Sequence, residues 1–442
     1  MSETSKYPAG YREALNYPLF SALYNRRARR FGLGMEIPEG PTAYKSRHKP
    51  MPLSDLEECL LIAAGYGISG FCLGDGPFIP SPYGPGRDEK LEYHDGGATA
   101  LMSVIGRTFP SSGATHGTVL FYSDDKGLFM VDLRGVRPEK MNMYREPDDM
   151  ELQLSIIKEH TVKLSDARLD IPNVQPVMFA SNMWSVNKPG ATLFMSVTDL
   201  SVEYINFLLY FTADHGIYLI DDEKGGIPMC SEKWLASDFI KPAMAFPLSL
   251  TEHIMATATY SEGAFIGHNI ALAAQAMGLG GFMFAGMNPL VLMGGTPMAH
   301  GLGFTYESSI SGLPNPVGLP GRFEGHCPPY FKDMAAAVDD VVASKWGTGG
   351  LWTRSEPTSP YVNPAAIASK VPRPPAEVIQ IVKEECQYVY EKYGQFPGMS
   401  NTMSMGLSVQ VVHVDLDYYD TIYQTGAYSE TQRRHMELWH KP

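Results

Sequence analysis

Two periods of apolar spacing alternate along the chain. In PLSDLEECLLIAAGYG (Pro52 to Gly67), Leu56, Leu60 and Ala63/Ala64 recur at helical spacing. Ser54 and Glu57 stand in capping-box register at the start, and Gly65 or Gly67 closes the run, so a helix is predicted there. RTFPSSGATHGTVLFY (Arg107 to Tyr122) sets Pro, two hydroxyls and Gly directly before a strand-like run. SDDKG (Ser123 to Gly127) then turns the chain into LFMVDL, which predicts a hairpin over 118–134. Beyond it, ATLFMSV and GIYLIDD read as strands and VEYINFLLYF as a helix. An almost wholly apolar helix follows at about 262–278. Residues 307–375 are dense in Pro and Gly and read as a long ordered loop or lid, because Trp346, Trp352, Tyr330 and Phe331 favour burial. From about Ala376 to Tyr393, the positions Val378, Val382, Cys386 (or Val389) and Tyr393 define one helical face. SVQVVHVDLDYY reads as a strand of alternating character, and SETQRRHMELWH as a short capped helix. No internal repeat or low-complexity tract is found.

Composition narrows the class. With 44% hydrophobic and 19% charged residues in 442, the chain is globular. Its 35 basic and 48 acidic residues give a formal charge of -13, which argues against a nucleic-acid or anionic-membrane partner. Cys59, Cys72, Cys230, Cys327 and Cys386 are scattered without a C-x-x-C pair, which suits a reducing compartment and supplies no zinc signature. The N-terminus lacks a basic segment followed by an apolar one, so a cytoplasmic location is expected. Gly263 to Tyr306 contains no Asp, Glu, Lys or Arg. His268, Asn269 and Gln275 interrupt that stretch, and a helix apolar on nearly every face is one buried on every face, so no membrane span is expected.

Candidate chemistry is sparse. NRRARRFGLG (Asn25 to Gly34) packs four arginines into five positions. Such a cluster is a solvated basic face or an anion site, since the arginine fork binds phosphate oxygens in pairs. The Pro-Ser-Ser-Gly corner is a plain turn, or it aims hydroxyls and backbone N–H groups at a phosphate or the edge of a heteroaromatic ring. In HVDLDYYD, His413, Asp415 and Asp417 share one strand face with Asp420 nearby. They form a metal site or the polar face of a half-buried strand. His300, Glu324, His326 and Cys327 match no zinc or nucleophile spacing. There is no G-x-S-x-G, H-E-x-x-H, Walker loop or dinucleotide glycine motif.

In combination these blocks resemble the FMN-dependent nitroreductase superfamily. That family opens with R-R-S-x-R, which looks like Arg26, Arg27, Ala28, Arg29 and Arg30. Its P-L-S-x-x-E-L helix is similar to PLSDLEECLLIAAG, and its central helix, x-G-x-x-x-Q-N-L-x-L-A-A-x-x-x-G-L-G, resembles EGAFIGHNIALAAQAMGLGG. The corner looks most like the azoline (peptide thiazoline or oxazoline) dehydrogenase branch, where R-x-x-P-S-A-G-A-x-x precedes a strand. Lys392-Tyr393 lies outside the region of that branch's catalytic Lys-Tyr pair, so no catalytic acid or base is assigned.

The resemblance implies an α+β nitroreductase-like fold, with a central, mainly antiparallel sheet flanked by helices. On this reading residues 1–340 form the flavin-binding domain with an insertion at about 135–250, and 341–442 form a C-terminal extension on the same domain. It implies an FMN-dependent oxidoreductase that moves a hydride between flavin N5 and a small-molecule or peptide substrate. Ser111, Ser112 and Gly113 become flavin contacts, Arg26, Arg27 and Arg30 phosphate ligands, and Arg322 a late basic residue near the phosphate, with no metal. A homodimer is expected. Two rival readings are a non-catalytic flavin-binding homodimer and a metal-dependent hydrolase built on His413, Asp415 and Asp417.

Overall fold

Strands that are apolar or hydroxyl-bearing on both faces need cover on both sides. The computed structural model describes residues 6–75, 103–310, 312–353 and 359–440. Seven of its strands form one antiparallel sheet: β1 (Thr118–Asp124), β2 (Gly127–Val131), β3 (Thr161–Ser165), β4 (Thr192–Asp199), β5 (Gly280–Phe284), β6 (Met403–Met405) and β7 (Ser408–Val412). Their order is β5-β7-β4-β1-β2-β3, with β6 pairing further along β4. Tyr122 lies opposite Phe194, and Phe194 opposite Val409. The hairpin predicted over 118–134 is β1 and β2. Segment 135–250 supplies the inner strand β4, and segment 341–442 supplies β6 and β7.

The principal helices are α1 (Ala9–Leu15), α2 (Leu19–Asn25), α3 (Asp55–Tyr66), α4 (Met150–Glu159), α5 (Leu200–His215), α6 (Leu248–Met277), α7 (Met334–Trp346), α8 (Ala376–Tyr393), α9 (Leu416–Ile422) and α10 (Glu430–Trp439). With the antiparallel sheets they make the fold α+β, as expected. Leu60, Leu61, Ile266 and Ile270 from α3 and α6 cover one face of the sheet, against Leu120, Tyr122, Phe194 and Val409. Val119, Phe121, Met195 and Val197 on the other face pack on Phe304 and Phe323. A second core joins Tyr204 and Leu208 of α5 to Val338 and Val341 of α7 and to Val382 and Cys386 of α8. Each large apolar side chain so buried contributes about 1.5–3 kcal/mol before conformational entropy is set against it.

Local chemistry places several boundaries where the pattern predicts them. Ser54 and Glu57 close the capping box of α3, and Gly67 is its C-cap. Ser429 and Gln432 form another box at α10. Helix α8 spans the predicted residues and ends at the left-handed Gly394.

Three expectations are corrected. Helix α6 is 30 residues long and begins well before Glu262, because Ser261-Glu262-Gly263 continues the helix instead of starting it. Part of the expected 307–375 loop is α7, capped by Asp333, with Met334, Ala337, Val338, Val341, Val342 and Lys345 on its buried face. Flanking Pro and Gly obscured that period. Finally, β7 stops at Val412 and Asp415 caps α9, so SVQVVHVDLDYY is a strand followed by a helix start. Among the described residues no helix is long and apolar enough to cross a membrane.

Buried carboxyls give the fold a pH signature. Glu385 on α8 accepts the Leu219 N–H at 2.7 Å through Oε1, while its Oε2 is buried without a hydrogen-bond partner among the described residues. Burial pushes its pKa from the ordinary 4.5 up to about 8. Burial also lifts Glu252 to about 7, against the backbone N–H groups of Met399 and Gly398. Between pH 4.5 and these values the folded chain keeps protons that the unfolded chain releases. Stability therefore falls as pH rises through that window, by about 1.4 kcal/mol per pH unit for each such group. Thermal melts from pH 5 to pH 8 are expected to fall less steeply for Glu385→Gln than for the parent chain. Equal slopes would show that Glu385 is ionised in the fold.

Candidate active site

The Pro-Ser-Ser-Gly corner is more sharply bent than a simple turn. Gly113, Ala114 and His116 have φ of 64°, 52° and 56°. Glycine adopts this region freely, whereas alanine and histidine are strained there and need the surroundings to hold them. Ser111 Oγ accepts the His116 N–H at 3.1 Å, and Thr115 Oγ1 donates to the Ser112 carbonyl at 3.2 Å. Phe109 stacks on Tyr66 beneath the corner, and His116 meets Phe109 edge-on. Burial, aided by Arg107, pushes His116 down to about 4, so its ring is neutral. Ser112 and Gly113 remain exposed, and Ser111 is half-buried.

Under the corner the chain turns its polar groups inward. Thr115 Oγ1 also lies against Glu203 Oε2 of α5, and Glu203 Oε1 accepts the Gly117 N–H at 3.0 Å. Thr118 Oγ1 lies 2.5 Å from Glu262 Oε2 on α6. Both carboxyls are almost inaccessible, at 2% and 1% exposure. Burial raises Glu203 well above the carboxylate range, and the neighbouring Glu262 reinforces the shift. Burial raises Glu262 too, against the hydroxyls of Ser111 and Thr118. Two close carboxyls in an apolar interior resist ionising together, so each holds its proton more tightly than a free carboxyl does. Glu262 Oε1 has no hydrogen-bond partner among the described residues.

Basic groups surround the pair. Burial pushes Lys345 of α7 down to about 7, while the Glu203 carboxyl opposes that fall. Arg107 lies over the Tyr66 ring at 5.0 Å and donates to the Tyr66 carbonyl. His326 bridges Asp199 and Asp340 at 3.4 and 3.3 Å. Burial works against its charge, yet hydrogen bonds to those two carboxylates push it up to about 9. Strongly perturbed groups of both signs beneath an exposed corner make a place where a proton can be held or moved beside a ligand. Sequence reasoning missed Glu203, Glu262 and Lys345. For Lys345 the signal was its position, continuing the buried Val338, Val341 and Val342 face.

The arginine segment occupies another part of the molecule. It follows α2 and runs beside β5 and the chain after β7, through the bridges Ala28 to Gly281 and Gly32 to Val414. Arg29 is its buried member, donating to Ala427 O, Asn25 O and Gln275 Oε1. Arg30 spends Nη2 on Ser181 O, Asn182 Oδ1 and Ser185 Oγ at 2.7–2.9 Å, with its guanidinium over Phe282 and Trp184. That engagement makes Arg30 a brace within the protein. Arg27 is exposed and donates to the Tyr24 and Arg26 carbonyls. Neither Arg26 nor Arg27 has a carboxylate partner among the described residues. Arg322 is exposed in a turn, and its carbonyl accepts Arg134 Nη2. Gln275, which anchors the arginine segment, and Glu262, which anchors the corner, lie about 20 Å apart along α6 at a rise of about 1.5 Å per residue. Along α6 these two anchors stand apart.

The His413, Asp415 and Asp417 centre is not formed. His413 faces Glu57 at 3.3 Å. Asp415 caps α9 and accepts the Ser46 hydroxyl, while Asp417 meets His48 at 3.2 Å. The strand register that would have aligned the three ends before them.

No family model and no curated protein matches the chain. Among solved structures, one described as a "putative nitroreductase" from Ralstonia eutropha aligns over 65% of this chain and 76% of its own, at 13% identity and a TM-score of 0.25.

Lys345 offers a direct check on the buried charges. Between its folded value of about 7 and the ordinary 10.5, the unfolded chain binds a proton that the folded chain does not. The parent chain therefore gains stability as pH rises through that window, and it carries the full penalty below it. Lys345→Met should melt above the parent at pH 6, with the advantage shrinking steadily toward pH 10. A constant difference would place the Lys345 ammonium in solvent.

Proposed function

We propose that the chain is an FMN-dependent oxidoreductase of the nitroreductase type, acting as a homodimer on a small-molecule or peptide substrate. The observation that carries this reading is the pair Arg26 and Arg27. In a chain with a formal charge of -13, these adjacent forks lack a carboxylate partner among the described residues. Unneutralised guanidinium groups, Arg27 exposed and Arg26 half-buried, fit a phosphate monoester, whose oxygens accept paired N–H donors. The absence of a dinucleotide glycine motif favours a mononucleotide. When bound, the flavin supplies hydride chemistry at N5.

The chain's own residues have separable tasks. Arg26 and Arg27 hold the phosphate, with Arg322 as a further basic candidate, and Arg30 braces the segment that carries them. Ser111, Ser112 and Gly113 offer hydroxyls and backbone N–H groups to the ring system. The Glu203–Glu262 pair and Lys345 keep a proton in reserve beneath the corner. Tyr66 and Phe109 stack beneath the corner, and the Thr118 and Thr198 hydroxyls meet at 2.7 Å beside Glu262.

The separation along α6 favours a shared site, in which the corner of one chain completes the arginine segment of another. Helix α2 supports this. Just ahead of the arginines, Leu19, Phe20 and Tyr24 are 62%, 71% and 75% exposed. An apolar face of that kind is characteristic of an interface.

Two measurements test the proposal. Purified protein should show oxidised-flavin absorption near about 370 and 450 nm, and the released cofactor should run as FMN. Arg26→Ala and Arg27→Ala should each weaken FMN binding by roughly 10- to 100-fold, corresponding to about 1.5–3 kcal/mol. Lysine at either position recovers part of the loss, and Arg433→Ala in α10 changes nothing. Equal affinities across the set, or no flavin, would overturn the assignment. By sedimentation the protein should be a dimer at micromolar concentration, and Phe20→Glu should yield a monomer with diminished FMN. A parent chain that sediments as a monomer while retaining FMN would exclude the shared site.

A further inference from the structure

Away from the corner, three histidines and one glutamate from distant parts of the chain meet at a point. Glu57 lies in the first turn of α3, His413 follows β7, His435 lies on α10 and His440 is its C-cap. The Nε2 atoms of His413, His435 and His440 stand 3.3, 3.1 and 3.1 Å from the same oxygen, Glu57 Oε1. The ring centroids are 5.0, 5.0 and 5.3 Å apart. Glu57, His413 and His435 are buried, and His440 is nearly so.

Neutral rings satisfy this arrangement only in part: His440 can carry its hydrogen on Nε2 and donate to Glu57 Oε1, but the other two rings cannot. His413 Nδ1 lies 3.0 Å from the Met51 carbonyl, and His435 Nδ1 lies 2.8 Å from the Met277 carbonyl. A carbonyl only accepts, so each Nδ1 carries a hydrogen. In the neutral rings Nε2 is then a bare lone pair aimed at a carboxylate oxygen, which is also an acceptor. His435 Nε2 accordingly has no hydrogen-bond partner among the described residues. Charging His413 and His435 to supply the missing hydrogens would set two like charges in a buried space against a single carboxylate. The carboxylate cannot turn away, because Glu57 Oε2 accepts both the backbone N–H and the hydroxyl of Ser54 at 2.7 Å.

A cation at the centre satisfies every group. We propose that Glu57, His413, His435 and His440 bind one divalent metal ion, and that zinc is the ion they fit. Three imidazole nitrogens and one carboxylate oxygen match zinc's tetrahedral preference. With bonds of about 2.0–2.1 Å, a tetrahedral zinc holds its ligand atoms about 3.3 Å apart. The three contacts at 3.1–3.3 Å agree, and all four ligand atoms lie within 4.8 Å of one another. Imidazoles anchored through Nδ1 to carbonyls are the outer-shell pattern that orients ligating histidines. Four protein ligands in a buried position leave no place for substrate, so the ion is structural. It joins α3 to α10 and to the segment after β7. The sequence expectation of no metal missed it because Glu57 is remote from the histidines in the chain and the spacing fits no motif. The inference does not depend on the flavin reading.

The test uses the full, untagged chain, purified without metal-affinity resin. Elemental analysis should find one zinc per chain. His435→Gln and His440→Gln should lower zinc affinity by more than the roughly 10–100-fold that loss of an outer-shell partner costs. Metal-stripped parent chain given Co2+ should develop the intense visible bands of a tetrahedral complex, and Zn2+ should raise its melting temperature. If the variants fail to fold, the parent's own titration decides. Stripped parent chain that takes up neither ion, and melts identically with and without zinc, would overturn the proposal. Flavin content is read in the same samples, so failure of one proposal leaves the other standing.

Discussion

A helix of 30 residues can be enclosed only if nearly every polar group it carries inside the protein is met there. Helix α6 carries Glu252, Glu262 and Gln275 into the interior, and each is met by a different part of the chain. Glu252 accepts backbone N–H groups of Gly398 and Met399. Glu262 takes the Thr118 hydroxyl, and Gln275 contacts Arg29 and Ser429. An unmet buried group of this kind costs about 1–3 kcal/mol. The three contacts therefore constrain where the segment after α8, the head of β1 and the N-terminal arginines can lie.

The same constraint separates the two halves of the proposed cofactor site. Thr118 reaches Glu262 only if the corner sits over the middle of α6, which leaves Ser112 and Gly113 facing outward. Arg29 reaches Gln275 only near the helix end, which leaves Arg26 and Arg27 at the surface beside the apolar face of α2. Structural bonds made by unselected residues thus decide where the selected ones stand. Gly65 contributes by letting α3 approach α6: a Cβ there would come within 2.5 Å of Ile270 Cγ1.

Legibility in the sequence followed the range of the interaction. Ser54 with Glu57, Ser429 with Gln432, and the left-handed Gly394 act over a few residues, and the elements they bound were readable. The hairpin was readable because its turn chemistry and strand alternation adjoin. The first half of α6 was not, since Thr251, Thr257 and Thr259 are weak helix formers that tertiary packing overrides. Nor was α7, a short periodic stretch between Pro- and Gly-rich flanks. The site divides similarly. The corner and the arginines are local clusters. Glu203, Glu262 and Lys345 become neighbours only when α5, α6 and α7 converge, and nothing near them in the chain records that. His413 was noticed for its aspartate neighbours, whereas its contacts in the fold are Glu57, His435 and His440.

Strand β7 has a consequence for how the protein is made. It lies between β4 and β5, although its residues leave the ribosome long after both. Until they do, β4 lacks one inner neighbour and β5 has no partner in the sheet. The nascent chain thus carries open strand edges through much of its synthesis, and such edges pair readily with other chains. Closure of the sheet is a late, long-range event of the slow kind. A chain interrupted before Ser408 would therefore be a hazard to its neighbours in the cell, and not simply a shorter form of the protein.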